Sequence, residues 1–406
     1  MIYKRFKNTY FYLVLSLFLS LNSCKESKAQ KLEQKTPKVS IEIITAAQQT
    51  KSYLKLLKNK NIAVVANQTT IISTKNKKHI HLIDSLLALN ISIKKVFSPE
   101  HGFRGKADAA EKVEDGIDTK TGLPITSLYG KNKKPTKEQL QNIDLVVFDI
   151  QDVGVRFYTY ISTMHYVMEA CAEQNIPVIV FDRPNPNGHY IDGPTLEIEH
   201  KSFVGMHTVP LVYGMTIGEY AKMINGEKWL KNEVICDLTV IPLKNYTHKS
   251  SYSLPVRPSP NLPNNVSINL YPSLGFFEGT TINAGRGTEQ QFQQYGAPFF
   301  PKSEFTYTPQ PNFGSKYPKH KNKLCYGVDL KNTKKLDSIN INWLVNAYKK
   351  TPKTEKFFGS TFTIHAGNTI LENQLKSGVS STEIRKSWQP KIEEFKLIRK
   401  KYVLYE

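Results

Sequence analysis

Four stretches of this chain share one design: an apolar run of strand length that stops in a cluster of polar, turn-forming residues. Residues 62–66 lead into Asn67-Gln68-Thr69-Thr70, and residues 91–97, apolar at Ile91, Ile93, Val96 and Phe97, into Ser98-Pro99-Glu100-His101. Residues 145–148 lead into Asp149-Ile150-Gln151-Asp152, and residues 178–181 into Asp182-Arg183-Pro184-Asn185. A strand with one wet face alternates apolar and polar residues, whereas an unbroken apolar run is covered on both faces, the habit of parallel sheets. Helical spacing fills the gaps. Residues 80–89 carry apolar groups at helical intervals, and Tyr160, Ile161, Met164, Val167, Met168 and Cys171 line one stripe of a helix that ends before Asn175. Strands alternating with helices specify an α/β fold with a Rossmann-like, doubly wound, mostly parallel sheet. In such sheets ligands bind beyond the carboxyl ends of the strands, so the four polar clusters are expected to converge on one crevice.

A helix over 216–230, with Thr216 as its cap, and a strand over 234–241 extend this unit. The stretch Arg257-Pro258-Ser259-Pro260-Asn261-Leu262-Pro263-Asn264 cannot be helical and suits a rigid crossover. It divides the chain into a Rossmann-like domain, 41–257, and a smaller α/β domain, 258–406. The latter is expected to hold a strand over 325–330, a helix over 335–348 and a long terminal helix over 382–402.

Residues 1–23 have the layout of a signal peptide: Lys4, Arg5 and Lys7, then an apolar run too short to span a membrane. The run ends in Leu21-Asn22-Ser23-Cys24, similar to a bacterial lipobox, which makes Cys24 the expected lipidation site and the chain an exported, membrane-anchored lipoprotein. Residues 24–40 are charged, poor in large apolar groups and read as a tether. The formal charge of +20 suits polyanionic surroundings such as cell-wall polymer or anionic lipid. Nucleic acid is not expected as a partner, because the lysines are scattered and no nucleic-acid motif is present. Cys171, Cys236 and Cys325 sit in apolar neighbourhoods without metal-binding spacing and read as buried thiols.

No glycine-rich phosphate loop follows the first strand, so no nucleotide cofactor is expected. There is no Gly-x-Ser-x-Gly elbow, and the aspartates of Asp149-Ile150-Gln151-Asp152 are spaced three apart, not two as in aspartyl phosphatases. His79, His81 and His101 do not form a metal motif. What remains is carboxylate chemistry with amide and arginine donors, the equipment of a glycosidase or sugar-binding cleft. Glu100 fits the general acid, with Asp152 and Glu278 as partner carboxylates. Arg156, Arg183 and Arg286 lie in loops bearing glycine or proline, and a guanidinium fork matches a substrate carboxylate. Asn67, His101, Gln151, Tyr158, Asn185 and Asn261 complete the expected binding set, with Tyr158 offered as a stacking surface. Asp149 is expected to be structural, holding backbone amides.

The same segments resemble the exo-β-N-acetylmuramidase (NamZ) family of cell-wall glycosidases. The likeness rests on Ala66-Asn67-Gln68-Thr69, Ser98-Pro99-Glu100-His101-Gly102-Phe103-Arg104-Gly105, Ser127-Leu128-Tyr129-Gly130, the run from Phe148 through Arg156 to Tyr160, Asp182-Arg183-Pro184-Asn185-Pro186, Pro258-Ser259-Pro260-Asn261-Leu262-Pro263 and Gly285-Arg286-Gly287-Thr288. It implies a site in the cleft between a Rossmann-like and a smaller domain. It also implies release of terminal N-acetylmuramic acid from the non-reducing end of peptidoglycan fragments, with Glu100 as the family's glutamate. The substrate's lactyl carboxylate then explains the arginines, and Arg156 or Arg286 is expected to bind it. A non-catalytic lipoprotein that captures muropeptides, or an esterase or amidase on the same polymer, would use similar residues; turnover of the glycosidic bond separates them.

Overall fold

The computed structural model describes residues 42–73, 78–104 and 115–406. The signal peptide, Cys24, the tether and Gly105 lie outside them. Seven strands form the central sheet: β1 (Ile62–Ala66), β2 (Ile93–Ser98), β3 (Gly116–Ile117), β4 (Pro124–Ser127), β5 (Leu145–Asp149), β6 (Val178–Phe181) and β7 (Leu238–Ile241). Their order is β7-β6-β5-β1-β2-β4-β3. All neighbours run parallel except β3, which pairs antiparallel with β4. The chain therefore starts at the centre, builds through β2 to one edge, then returns beside β1 and builds the other way. Above β1 the order reverses, which opens the crevice.

The unbroken apolar runs are explained by two cores. Ile62, Val64 and Ala66 of β1 join one cluster, and Ala63 and Val65 the other, because successive side chains of a strand point to opposite faces. Helices α1 (Thr50–Leu57) and α2 (Leu82–Ala88) cover the first face. Helices α3 (Tyr160–Glu173) and α4 (Ile217–Gly226) cover the second. Thr216 caps α4 as expected: its hydroxyl accepts from the Glu219 amide while the Glu219 carboxylate accepts from the Thr216 amide.

After the proline-rich stretch, Asn264 caps α5 (Asn265–Leu274), a helix absent from the sequence reading. A three-stranded antiparallel sheet follows, made of β8 (Gln294–Ala297), β9 (Thr306–Tyr307) and β10 (Cys325–Asp329), with β10 central. Four helices complete the chain: α6 (Asn342–Lys350), α7 (Phe362–Ala366), α8 (Ile370–Lys376) and α9 (Ser381–Arg399). Residues 43–406 make one compact unit, and the larger core runs without interruption from α3 into α5 and α9.

Several boundaries differ from the sequence expectation for identifiable reasons. His79–His81 is not helical, because it pairs antiparallel with Ile71–Ser73; α2 starts after it. The helix expected over 335–348 begins only at Asn342. Ahead of it the amides of Leu336, Ile339 and Asn340 are captured by Asn269 Oδ1, Asp192 Oδ2 and Ser273 Oγ at 2.7, 2.7 and 2.9 Å. Those donors cannot also build a helix. Cys171, Cys236 and Cys325 are buried free thiols.

Candidate active site

A cavity of about 500 Å3 opens at the end of β2, lined among others by Glu100, His101, Tyr129, Tyr158, Thr159, Asn261, Tyr271, Glu278, Arg286 and His365. The turn that delivers Glu100 is tight. The Gly102 amide donates to the Pro99 carbonyl at 3.1 Å, and His101 and Gly102 both have positive φ, 73° and 75°. For the histidine this conformation is strained, a feature often tied to loops that must present a side chain. Both oxygens of the Glu100 carboxyl are held by hydroxyls: Tyr129 donates to Oε1 and Thr159 to Oε2, each at 2.9 Å. Tyr160 adds a 3.3 Å bond to the Glu100 carbonyl. One donor follows β4 and two open α3, so the acid's orientation is fixed by three separate contacts. Arg104, by contrast, turns to Asp118, which it meets at 2.7 Å.

In the same lining, Arg286 Nη1 binds Glu278 Oε2 at 2.7 Å and Nη2 donates to the Gly314 carbonyl at 3.1 Å. Asn261 Nδ2 donates to the same carbonyl at 2.6 Å. Lys319 is anchored beside them, donating to the Phe277 and Glu278 carbonyls at 2.7 and 3.1 Å. Burial alone would raise the Glu278 carboxyl, but the charges of Arg286 and Lys319 outweigh it and hold the group below its ordinary range. Glu278 is thus an ionised carboxylate. Glu278 and Arg286 also line a second, smaller cavity of about 180 Å3 with Ser315, Lys316 and Lys319. Tyr271 lines the same cavity, and its phenol is pushed up by burial first and then by the charges of Glu278 and Glu100.

The other three strand-end clusters, expected to share one crevice with Glu100, do not line this cavity; they are spent on tying loops together. Arg183 forms a two-bond fork with Asp149, Nε to Oδ1 at 2.6 Å and Nη2 to Oδ2 at 2.7 Å, with both side chains buried. Asp149 therefore holds a guanidinium and not backbone amides. Gln151 donates to the Asp152 and Pro184 carbonyls, both at 2.7 Å. Asn67 accepts from the amide and hydroxyl of Thr69, and Asn185 bridges the Asn187 amide and the Met215 carbonyl.

Asp152 is likewise buried, accepting from the Gly154 amide at 2.7 Å and from the Tyr213 hydroxyl. Burial raises it to about 6 despite those donors. It is 2% exposed and does not line the cavity. Arg156 is fully buried, its two terminal nitrogens donating to the carbonyls of Pro194, Val209, His365 and Ala366. No lactyl group can reach it. Loops that enter a protein interior must satisfy their backbone polar groups, and six of the expected binding or catalytic residues do that work: Asn67, Gln151, Asp152, Arg156, Arg183 and Asn185. Glu100, His101, Tyr158, Asn261, Glu278 and Arg286 line the cavity.

Sequence reasoning missed Thr159, Tyr271, Phe203, Lys133 and His365 as cavity residues, and gave Tyr129 no role. His365 comes from a short helix near the chain's end, its Nδ1 2.8 Å from the Thr361 carbonyl. His81 is spent locally: Nδ1 accepts from the Ile83 amide and Nε2 meets the Asn67 carbonyl. Among the described residues no group of three or more His, Cys, Asp or Glu side chains is placed to hold a metal ion.

Residues 62–266 match the family model for the N-terminal part of the exo-β-N-acetylmuramidase NamZ, and residues 269–405 match that for its C-terminal part. The chain belongs to the NamZ family. It is 38% identical over 413 residues to the peptidoglycan β-N-acetylmuramidase NamZ of Bacillus subtilis, covering 96% of this chain and 97% of that one. A solved DUF1343 family protein from Bacteroides fragilis is 44% identical, with a TM-score of 0.83 over 90% of this chain and 99% of its own. A second from the same organism is 29% identical, with a TM-score of 0.78 over 90% of this chain and 100% of its own. The cavity draws on both NamZ parts: Glu100, Tyr129, Thr159 and Asn261 come from the first, and Tyr271, Glu278, Arg286 and His365 from the second.

Proposed function

We propose that this chain is an exo-acting glycoside hydrolase that removes terminal N-acetylmuramic acid from the non-reducing end of peptidoglycan fragments, with Glu100 as general acid. One observation carries the reading: an oriented glutamate and an arginine-clamped, ionised glutamate face a single open cavity. Glycoside cleavage needs two such groups, one to protonate the leaving oxygen and one negative charge to answer the oxocarbenium-like transition state. Glu100 serves as the first. Glu278 serves as the second, its charge kept by Arg286 and Lys319. Arg286 also offers the cationic surface for the lactyl carboxylate that distinguishes muramic acid from glucosamine.

Hydrolysis of a chromogenic β-N-acetylmuramide tests this directly. Glu100→Gln is expected to lower kcat by about 10²- to 10⁴-fold, the usual worth of a general acid, while substrate binding persists. Binding without turnover in the wild type would refute the enzyme reading in favour of a capture protein. We also propose that the chain is exported and anchored through a lipid on Cys24; incorporation of a fatty-acid probe that is lost in Cys24→Ser supports this.

A further inference from the structure

Two groups of unlike chemistry line the cavity beside the acid. Glu278, Arg286 and His365 make a charged group; Tyr129, Phe203 and Val204, with Lys133, make a mainly apolar one. Contacts run from Phe203 to Tyr129, whose hydroxyl holds Glu100, and from Glu100 through Tyr160 and Tyr158 to Tyr271. Phe203 reaches the cavity from the tip of a closed turn: the Ser202 amide donates to the Gly205 carbonyl at 2.8 Å, and the Gly205 amide donates back at 3.1 Å. Apolar residues at a turn tip are otherwise solvent-exposed, but here the ring is braced on three sides. It lies nearly parallel to Tyr166, at 6.2 Å and 11°, tilts against Tyr129 at 6.4 Å, and carries Lys133 Nζ 4.8 Å above its centre. The Lys133 ammonium covers one face of the ring, and together these contacts hold Phe203 in place in the cavity lining beside Tyr129.

Resting on the muramidase reading, we propose that Phe203 and Tyr129 form the platform for the leaving sugar, the N-acetylglucosamine ring, with Lys133 holding the Phe203 ring in place. The chemistry demands this division. A general acid must sit at the bond being broken, so the two sugars lie on its opposite sides. The muramic ring, which carries the carboxylate, belongs with Arg286. The neutral leaving ring belongs on the aromatic side, where its C–H face packs against an aromatic face.

The test uses the full chain, the wild type and Phe203→Leu, which keeps the apolar bulk but removes the flat face. The readouts are calorimetric binding of N-acetylglucosamine and inhibition of chromogenic muramide hydrolysis by each free sugar. Phe203→Leu is expected to weaken N-acetylglucosamine about threefold to tenfold, the range of aromatic-face contacts. Inhibition by N-acetylmuramic acid stays unchanged, and Phe203→Tyr restores wild-type behaviour. Equal weakening of both sugars, or unchanged N-acetylglucosamine affinity, overturns the platform. A wild type that hydrolyses no muramide would refute the muramidase reading instead, and the calorimetry would still decide the platform by itself.

Discussion

Replacing Arg183 with leucine separates a loop tie from a substrate contact. The guanidinium gives two charge-assisted bonds to Asp149, at 2.6 and 2.7 Å, and a third to the Ile71 carbonyl at 3.2 Å. Arg183 is 3% exposed and Asp149 0%, so no water replaces these bonds. Removing one partner of a buried pair costs about 3–5 kcal/mol. With an unfolding entropy of about 2.1 cal/mol/K per residue over roughly 360 residues, the melting temperature should fall by about 4–7 °C at pH 7. Burial already raises the Asp149 carboxyl against the pull of Arg183; without Arg183 that rise is unopposed. An acid whose folded pKa is raised loses stability as pH climbs through that pKa and loses none below its unfolded value of about 3.9. The deficit should therefore shrink between pH 7 and pH 5 in thermal melts. Turnover of the folded variant should stay within about threefold of wild type, since the fork does not line the cavity. A native melting temperature with a large rise in KM for muramides would refute this reasoning and place Arg183 on the substrate.

Two further outcomes follow from the same accounting of partners. Arg286→Met should raise KM for muramides at least about tenfold and erase discrimination against glucosaminides, because the positive charge beside the cavity is gone, and should lower kcat as well, because Glu278 loses the partner that holds it ionised; preserved discrimination in paired kinetics would exclude this role. Tyr405→Phe removes the 2.6 Å bond to Asp182, whose carboxyl is raised to about 7 chiefly by burial. Losing that donor pushes Asp182 higher still, so the variant should lose about 1 kcal/mol at pH 5, where the folded acid is neutral, and about 2–3 kcal/mol at pH 8, where it must ionise. Melts with the opposite trend would be inconsistent with a buried acid at that position.

The sheet was legible because its signal is local: a strand covered on both faces is apolar along its length, as β1, β6 and residues 145–148 of β5 are. The short, exposed strand β3 and the hairpin at Ile71–Ser73 carry no such signature. Glu100 could be singled out as a cavity residue because a proline and glycines flank it just beyond a strand, where the chain must turn and expose polar side chains. Its neighbours in the same pattern could not be told apart from it. Asp152 and Glu100 each follow an apolar strand, yet one is buried against Tyr213 and the other faces the cavity; only the packing of residues some 60 positions away in the chain decides which. Phe203 and His365 were invisible for a similar reason. An aromatic at a turn tip or a histidine on a one-turn helix gains meaning only from what faces it.

Arg156 has a mechanical consequence. Its guanidinium joins the Pro194 and Val209 carbonyls to those of His365 and Ala366, the first pair from the N-terminal NamZ part and the second from the C-terminal one. Swinging the two parts from one another would strand a cation and four acceptors away from water, a penalty of several kcal/mol. The molecule is riveted behind its own mouth. Ligands accordingly meet a preset shape rather than a closing jaw, and a glycan end must fit it on arrival.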